Sequence, residues 1–422
     1  MTFVWHYFIV CPSVESLNDV GGKVSRMREG IICLICSFFL TVGGGACTSP
    51  QQSDIAPENR TGITSDEILI GSSLALGGHA GYLGTQMLQG AMSYIRHINE
   101  TGGIHSRKIK VTFLDDRYNP AQCLYNTQKL ILEKKVFALF CYVGTPTTVR
   151  IIPLVNEARI PLVGMFTGAN RLRHPVNRYL INIRASYYQE TQAAVDFIVK
   201  RKKFDKVAVF YQYDEYGFDG LRGTEIALKK YGMIPVAKGS YVRGTLDVEA
   251  GLEKIIQSDA QAVVMIGTYD SCAKFINLSR ERNFSPLFHN VSFVGSKELA
   301  RRLGSNGEGV IVTQVVPPPN FNHMAKPLPG VKDYITVLKK YYPDSKPSFV
   351  GLEGYLNARI LVEGLTRVGK DITREKFIRA IESIDHYDLG IKNSLSFGKN
   401  DYQGLDNVYY TMIKQGKLVL IK

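Results

Sequence analysis

The sequence lacks the short motifs that supply the chemistry of the commonest enzyme folds. No G-x-G-x-x-G run follows the first predicted strand, and neither a G-x-S-x-G elbow nor an H-E-x-x-H pair occurs. The spacing from Gly364 to Lys370 imitates a phosphate-binding loop, but Asp371 takes the place of the Ser or Thr that would hold magnesium. The 8 histidines are scattered. We therefore predict no catalytic residue, no cofactor and no metal site, and we do not expect an enzyme.

Nucleic-acid binding is not expected either, although basic residues exceed acidic ones. The formal net charge is +13, yet Lys and Arg form only short groups such as Arg201-Lys202-Lys203, without interleaved aromatic residues. A well-solvated surface explains such a charge. An attraction for anionic lipid or for an acidic ligand is the alternative.

An apolar segment near the N-terminus is too short to span a bilayer comfortably. Residues Ile31–Val42 follow two arginines, which is the pattern of a signal peptide. Cys47, directly after Gly45-Ala46, resembles the lipidated cysteine of a bacterial lipobox. We therefore predict a signal segment over residues 1–47 with Cys47 as the lipidation site. Cleavage before Cys47 without a lipid is the alternative.

The position of this segment suggests a later start of translation. A chain that began at Met27 would carry a signal of normal length, so we hypothesise that the first 26 residues are absent from the protein. Residues 48–65 contain Gln, Ser and Pro and are typical of a flexible linker. The chain is then expected in the periplasm or cell envelope, held by its lipid.

Cysteine is scarce after the leader, where only Cys123, Cys141 and Cys272 remain. An odd number in an oxidising compartment allows at most one internal disulfide, and Cys123 with Cys141 is the only close pair. Burial as small apolar side chains explains them equally well.

Two series of alternating strands and helices follow the linker, which is the pattern of parallel, doubly wound sheets. In the first series the predicted strands are Glu67–Ile70, Lys108–Leu114, Val136–Tyr142 and Pro161–Met165. In the second they are Lys206–Tyr211, Met233–Ala237, Ala262–Ile266 and Ser292–Gly295, followed by Val310–Val315. The three prolines 317–319 suit a crossover between lobes. We expect one lobe over residues 66–184 and about 319–385, and a second over 185–318 and about 386–422.

Several loops after these strands carry small, hydroxylic or aromatic residues. Ligands of open α/β sheets bind beyond the carboxyl ends of strands, where helix N-termini offer free N–H groups. Each loop taken alone could be a simple turn, but several on facing lobes favour a binding site. The loops are Gly77–Gly81, Tyr142–Pro146, Phe166–Ala169, Tyr213–Gly217 and Gly267–Asp270.

Short segments in a fixed order carry a resemblance that covers nearly the whole mature chain. They are Gly102–Lys110, Asp115–Pro120, Ile160–Val163, Tyr213–Gly217 and Phe293–Gly295. The sequence resembles the type I periplasmic solute-binding proteins of the leucine/isoleucine/valine-binding family, which deliver ligands to ATP-binding-cassette (ABC) importers. The resemblance implies an α/β fold of two Rossmann-like lobes joined by a multi-strand hinge.

The same resemblance implies a set of ligand-binding residues. Those that it implies are Tyr142, Gly144, Thr145, Thr167, Gly168, Gln189, Tyr216, Tyr269 and Lys297. Amino-acid binders of the family commonly place acids near the positions of Gln189 and Lys297, where they neutralise the ligand ammonium. Either Asp214, Glu215 or Asp270 substitutes for these acids, or the ligand is no α-amino acid, because an unpaired buried ammonium is costly.

From these residues we expect a solute-binding protein that closes two lobes around an amino acid, organic acid or amide. Thr145 and Thr167 would hold the ligand, and Tyr216 and Tyr269 would close over it. The expected partner is the membrane permease of an ABC importer. The alternative is a tethered sensor that reports ligand occupancy to a membrane signalling protein; a hydrolase or oxidoreductase is less compatible with the sequence.

Overall fold

The computed structural model describes residues 60–319 and 328–421, which form two α/β lobes on separate sheets. The predicted signal segment, Met27, Cys47 and most of the predicted linker lie outside the described residues. Within those two ranges, no helix is both long and apolar enough to cross a bilayer.

The strands and helices alternate as the sequence pattern predicts. The strands are β1 (Glu67–Leu74), β2 (Lys108–Asp115), β3 (Ala138–Phe140), β4 (Leu162–Val163), β5 (Leu180–Ile181), β6 (Val207–Gln212), β7 (Lys238–Tyr241), β8 (Ala262–Ile266), β9 (Leu287–Asn290), β10 (Ile311–Gln314), β11 (Tyr387–Asp388), β12 (Ser394–Leu395), β13 (Tyr409–Lys414) and β14 (Lys417–Ile421). The helices are α1 (Gly81–Glu100), α2 (Pro120–Leu132), α3 (Thr145–Glu157), α4 (Tyr187–Asp196), α5 (Glu215–Lys229), α6 (Glu249–Ile256), α7 (Tyr269–Glu281), α8 (Ser296–Leu303), α9 (Pro329–Tyr341), α10 (Phe349–Val368) and α11 (Arg374–Glu382).

The first lobe is built on a five-stranded parallel sheet in the order β2-β1-β3-β4-β5. Helices α9–α11 return to it from late in the chain, and α10 packs along α1. Glycines allow this close approach, because a Cβ on Gly90 of α1 would lie 1.8 Å from the carbonyl oxygen of Gly351 in α10. The C-terminal helices are thereby fixed to the N-terminal sheet.

The second lobe is built on a seven-stranded sheet in the order β14-β13-β10-β9-β8-β6-β7. Its strands from β6 to β10 pair in parallel, and the last two, β13 and β14, join antiparallel at the β10 edge. The chain crosses between the sheets after β5, after β10 and again after α11. The predicted fold of two α/β lobes with a multi-strand hinge is confirmed, while the exact residue limits of the lobes stay a prediction.

Two strand predictions in the second lobe were wrong, and each error has a local cause. The predicted strand Met233–Ala237 lies before β7 because Pro235 has no N–H for the ladder. Only its last two residues bond β6, through the Val236 N–H and the Ala237 carbonyl. The predicted strand Ser292–Gly295 is a 3₁₀ turn after β9. The Ser292 N–H donates to the Glu190 carboxylate at 2.7 Å instead of to a neighbouring strand.

The three cysteines of the described chain are free and buried. No disulfide therefore joins Cys123 to Cys141, and both act as small apolar side chains in the first lobe.

Candidate functional site

Two threonine hydroxyls meet where α3 begins, at the face of the first lobe that meets the second. Thr145 is the first residue of α3 and Thr167 follows β4; their Oγ1 atoms are 2.7 Å apart and both residues are buried. The preceding residue, Gly144, has φ +103° and gives the helix no side-chain cap. A Cβ on Gly144 would lie 2.0 Å from Cε2 of Tyr118, so only glycine admits the ring of Tyr118 here.

A tyrosine from the second lobe reaches this pair of hydroxyls. Tyr187 opens α4, and its N–H donates to the Gly168 carbonyl at 2.6 Å. Its side-chain hydroxyl interacts with the Thr167 side chain but makes no well-formed hydrogen bond to the described residues. Burial raises the pKa of Tyr187 to about 12, so the hydroxyl stays protonated and available as a donor. Buried hydroxyls without partners are uncommon, and those of Ser72 and Tyr82 share this feature in the described chain.

Five buried aromatic rings from both lobes surround the hydroxyls. We call Tyr118, Phe166, Tyr187, Tyr216 and Phe293 the aromatic cluster. Phe293 lies at its centre, with ring centroids 4.7 Å from Tyr216, 5.2 Å from Phe166, 6.0 Å from Tyr118 and 6.5 Å from Tyr187. Because Tyr118 and Phe166 belong to the first lobe and the other three to the second, this cluster is an apolar contact across the cleft.

A buried charged network lies directly behind the cluster. The Arg184 guanidinium is 4.9 Å from the Phe166 ring centroid and forms ion pairs with Glu190 at 3.0 Å and Glu353 at 3.3 Å. Burial raises the pKa of Glu353 to about 7, against the opposing attraction of Arg184. The network joins the hinge segment to both lobes, because Glu190 is on α4 and Glu353 on α10.

Of the three acids that the sequence offered as partners of a ligand ammonium, two have cationic partners, whereas Glu215, the first residue of α5, is exposed and forms no ion pair with the described residues. Asp214 forms an ion pair with Arg243 at 3.1 Å, and its other oxygen accepts from the Tyr216 N–H at 3.0 Å. Burial raises the pKa of Asp214, while the Arg243 charge lowers it. Asp270 pairs with Arg302. Within the described ranges, no group of three or more His, Cys, Asp or Glu residues could hold a metal ion.

Five of the residues predicted from the sequence lie around the hydroxyl pair and the aromatic cluster. Gly144, Thr145, Thr167, Gly168 and Tyr216 are brought together there. Tyr269 lies farther out, where its ring meets that of Tyr82 across the lobes at 6.0 Å.

The other predicted residues have partners elsewhere. The Tyr142 hydroxyl is 2.9 Å from the Thr127 hydroxyl of α2, inside the first lobe. Gln189 accepts from the Ser186 N–H at 2.7 Å and lines a separate cavity of about 670 Å³ at the hinge. The Lys297 ammonium donates to the Lys346 carbonyl at 3.3 Å. The structure therefore does not place these three side chains beside the hydroxyl pair.

Sequence reasoning missed Tyr118, Tyr187 and Phe293. Two of them lie in segments that carry the family resemblance, Asp115–Pro120 and Phe293–Gly295, but were not assigned to the site. Tyr118 has φ +61°, an uncommon conformation for a bulky residue, which turns its ring toward Gly144.

Comparison with known proteins agrees with this architecture. The family model described as periplasmic binding protein matches residues 67–417. The chain belongs to the periplasmic binding protein family. Its relatives and structural neighbours are solute-binding proteins, which confirms the expectation that it is not an enzyme.

Individual relatives extend over most of the chain. A possible leucine/isoleucine/valine-binding protein from Rhodopirellula baltica is 35% identical, with a TM-score of 0.81 over 86% of this chain and 98% of its own. The Leu/Ile/Val-binding protein homolog 7 of Brucella melitensis is 24% identical over 85% of this chain and 92% of its own length. A branched-chain amino acid transporter protein of Thermus thermophilus, solved with bound valine, shares the fold at 21% identity and a TM-score of 0.75, over 85% of this chain and 96% of its own.

Proposed function

We propose that this protein is an extracytoplasmic solute-binding protein of an ABC importer that closes its lobes around a small polar ligand. The observation that carries the proposal is the buried hydroxyl of Tyr187, which lies next to Thr167 but makes no well-formed hydrogen bond to the described residues. A polar group in such a place costs free energy unless something binds to it. A ligand between the lobes would satisfy it when the cleft closes.

The two lobes would contribute different groups to binding. Thr145 and Thr167, at the uncapped start of α3, would hold a carboxylate or amide through hydroxyl and N–H groups. Tyr216 and Tyr269 would cover the ligand from the second lobe. The ligand would bind first to one lobe. The two lobes would then close over it by bending at the three places where the chain crosses between them.

The names of the relatives favour an amino acid, and Glu215 is left without an ion-pair partner in the described chain to receive its ammonium group, whereas the cationic partners of Asp214 and Asp270 favour a ligand without one. The R. baltica and B. melitensis proteins are named for leucine, isoleucine and valine. The family resemblance assigns Lys297 and Gln189 to positions where amino-acid binders commonly have acids, and Asp214 and Asp270 have cationic partners. An organic acid or amide is therefore the ligand class that we propose beside amino acids.

The proposal is tested by thermal denaturation and calorimetric titration of the full chain against amino acids, organic acids and amides. A ligand that binds only the folded state at a hundredfold excess over its Kd adds about 2.7 kcal/mol of stability, so the melting temperature rises. The double variant Thr145→Val/Thr167→Val should lose this rise. The control Thr336→Val removes a threonine hydroxyl that donates to the Lys332 carbonyl on the exposed side of α9 and should keep it. If no solute of these classes binds, the proposal fails.

We also propose that the protein is exported and held at the membrane by a lipid on Cys47. Mass spectrometry of the N-terminal peptide from a membrane fraction would find a lipidated Cys47 as the first residue. A peptide that contains residues before Met27 would refute the later start, and an unmodified Cys47 would refute the lipid.

A further inference from the structure

A polar cavity of about 670 Å³, which we call the hinge cavity, has a volume within the roughly 300–1,000 Å³ of small-molecule sites. Its walls come from the loop after β4, from the crossing between β5 and α4, and from the last crossing of the chain near β12. The described residues that line it include neither Thr145 nor Thr167 nor any ring of the aromatic cluster. The hinge cavity is therefore distinct from the site of the proposed function.

Arg173 is a buried cation in the wall of the hinge cavity. The residue is 6% exposed and forms no ion pair with the described residues. Its guanidinium donates instead to three neutral oxygens, the side-chain oxygen of Gln403 at 2.7 Å and the carbonyls of Ala169 and Arg184, both at 2.9 Å. Burial and the charge of Arg184 lower the pKa of Arg173 to about 9. An oxyanion in the cavity would supply the missing negative charge, and a guanidinium has five N–H groups to bind it.

A second buried arginine shows that the lack of an ion pair is not by itself a sign of a ligand. Arg374 is 5% exposed and donates to three backbone carbonyls at 2.8 Å, so it holds the fold. Arg173 differs because its Nε partner, Gln403, belongs to a series of amides in the cavity wall. The Gln403 side-chain N–H donates to the Gln189 side-chain oxygen at 2.8 Å, and both residues line the cavity. Arg173 is thereby part of a polar surface that faces open space.

The other side chains of this surface are mostly uncharged amides and hydroxyls, such as those of Asn170, Ser186 and Asn400. Amides and hydroxyls can both donate and accept, so they match a solute with several hydroxyl groups better than an apolar one. The exposed carboxylates of Asp401 and Asp406 also line the cavity. They can accept from hydroxyl groups of a ligand, and they would repel a second negative charge on it.

From these observations we infer that the hinge cavity is a second binding site, for a small hydroxylated monocarboxylic acid whose carboxylate pairs with Arg173. The hydroxyl groups of the ligand exchange hydrogen bonds with the amide, hydroxyl and aspartate side chains of the walls. The inference goes beyond the proposed function, because it concerns another cavity and does not depend on what binds between the lobes.

Calorimetric titration of the full chain with four six-carbon solutes tests the ligand class. We expect D-gluconate to bind. D-glucitol has a hydroxymethyl group in place of the carboxylate and should bind about ten- to a hundredfold more weakly, because it cannot make the charged hydrogen bonds to Arg173. Hexanoate keeps the carboxylate but has no hydroxyl groups, so it should bind at least about tenfold more weakly. D-glucarate, with a second carboxylate, should bind about threefold more weakly.

Two arginine variants separate binding from a structural role. Arg173→Gln should weaken D-gluconate binding about a hundredfold and abolish the preference for D-gluconate over D-glucitol. Arg374→Gln, the control, removes the other buried arginine that lacks an ion pair, so it should lower the melting temperature and leave D-gluconate binding unchanged. Equal losses of binding in the two variants would show damage to the fold and overturn the inference.

Gln403→Glu tests the same contact if Arg173→Gln does not fold. A carboxylate at this position would lie where the Gln403 oxygen lies, 2.7 Å from Nε of Arg173, and would neutralise the cation from within the protein. We expect at least about tenfold weaker binding of D-gluconate. Gln261→Glu, the control, adds the same charge where a glutamine oxygen accepts from the Asp205 and Lys206 N–H groups, and it should leave binding unchanged.

The double variant Thr145→Val/Thr167→Val distinguishes the hinge cavity from the cleft. D-gluconate binding that survives in this double variant and is lost in Arg173→Gln supports the inference. The reverse pattern would overturn it and support the proposed function. No binding of D-gluconate, or equal binding of D-gluconate and D-glucitol by the unaltered chain, would overturn the inference alone. A chain that binds D-gluconate at Arg173 but no solute that depends on Thr145 and Thr167 would overturn the proposed function alone.

Discussion

Tyr187 and Glu190 lie one turn apart on helix α4, and both are fully buried, but they differ in the hydrogen bonding of their polar side-chain atoms. The Glu190 carboxylate has four short contacts: Arg184 at 3.0 Å, the Ser292 N–H at 2.7 Å, the Ser292 hydroxyl at 2.9 Å and the Thr313 hydroxyl at 2.7 Å. The Tyr187 hydroxyl has no partner in hydrogen-bonding geometry within the described chain.

This difference separates a residue that stabilises the fold from a residue that we propose contacts a ligand. A buried charge is tolerated when several donors surround it, so Glu190 and Arg184 fix the hinge and the turn that carries Phe293. A buried hydroxyl without a partner weakens the free protein slightly, and selection for stability alone would replace it with Phe. Helix α4 therefore carries Tyr187, a proposed binding residue, on its first turn, and Glu190, a structural residue, one turn later.

The largest expected effect comes from removing Arg184, the cation that pairs with the Glu190 carboxylate. Arg184→Met would leave Glu190 and Glu353 without their shared cation, and loss of one partner from a buried ion pair costs about 3–5 kcal/mol. Urea denaturation at neutral pH should show this loss in the free energy of unfolding.

The matched control is an arginine whose ion pair is exposed. Arg282 lies 3.5 Å from Glu253, and the two side chains are 38% and 61% exposed, so Arg282→Met should cost less than about 1 kcal/mol. Equal losses in the two variants would show that the Arg184 network contributes no more than a surface pair.

The second prediction concerns the pH dependence of the same network. Burial raises the pKa of Glu353 from its ordinary value of 4.5 to about 7 in the folded protein, where it faces Arg184 and Glu190. Between these values the folded state holds a proton that the unfolded chain releases, so stability falls as the pH rises toward 7. The loss is on the order of 3 kcal/mol by linkage.

Glu353→Gln isolates this contribution, because it keeps the side-chain volume and cannot titrate. Unfolding free energies of both proteins from pH 5 to pH 8 should converge at the acidic end and diverge as the pH rises, with the variant losing less. Other buried groups, such as Asp116 with a pKa raised by burial to about 6, cancel in the difference. Parallel curves would mean that Glu353 is ionised throughout.

The sequence pattern predicted the architecture well because parallel strands in a buried sheet are short apolar runs between helices. Ala262–Ile266 is an example, since the predicted strand and β8 coincide. The pattern failed where hydrogen bonds from distant residues decide the conformation. Ser292–Gly295 has the composition of a strand, but the Glu190 carboxylate, about a hundred residues earlier, captures the Ser292 N–H.

The candidate site was predictable at the level of loops but not of side chains. Thr145 and Thr167 follow strands of one sheet, so their proximity could be expected. The loops alone did not show that Tyr187 lies at the site and Tyr142 does not, because the direction of a side chain depends on the conformation of single residues in a bend. Its neighbour Cys141 has φ +53°, and the Tyr142 hydroxyl bonds Thr127 inside the first lobe.

The smallest expected effect concerns Lys297, a predicted ligand residue whose ammonium reaches the Lys346 carbonyl of the first lobe at 3.3 Å. Burial and the charge of Lys346 lower the pKa of Lys297, so little favours its ammonium beyond this one acceptor. Lys297→Met would remove one hydrogen bond across the lobes and weaken ligand binding about two- to fivefold. Lys274→Met, which breaks an exposed pair with Glu249 in the same lobe, controls for the lost charge. If Lys297 instead paired with a ligand carboxylate, titration would show a loss of about a hundredfold that shrinks with added salt.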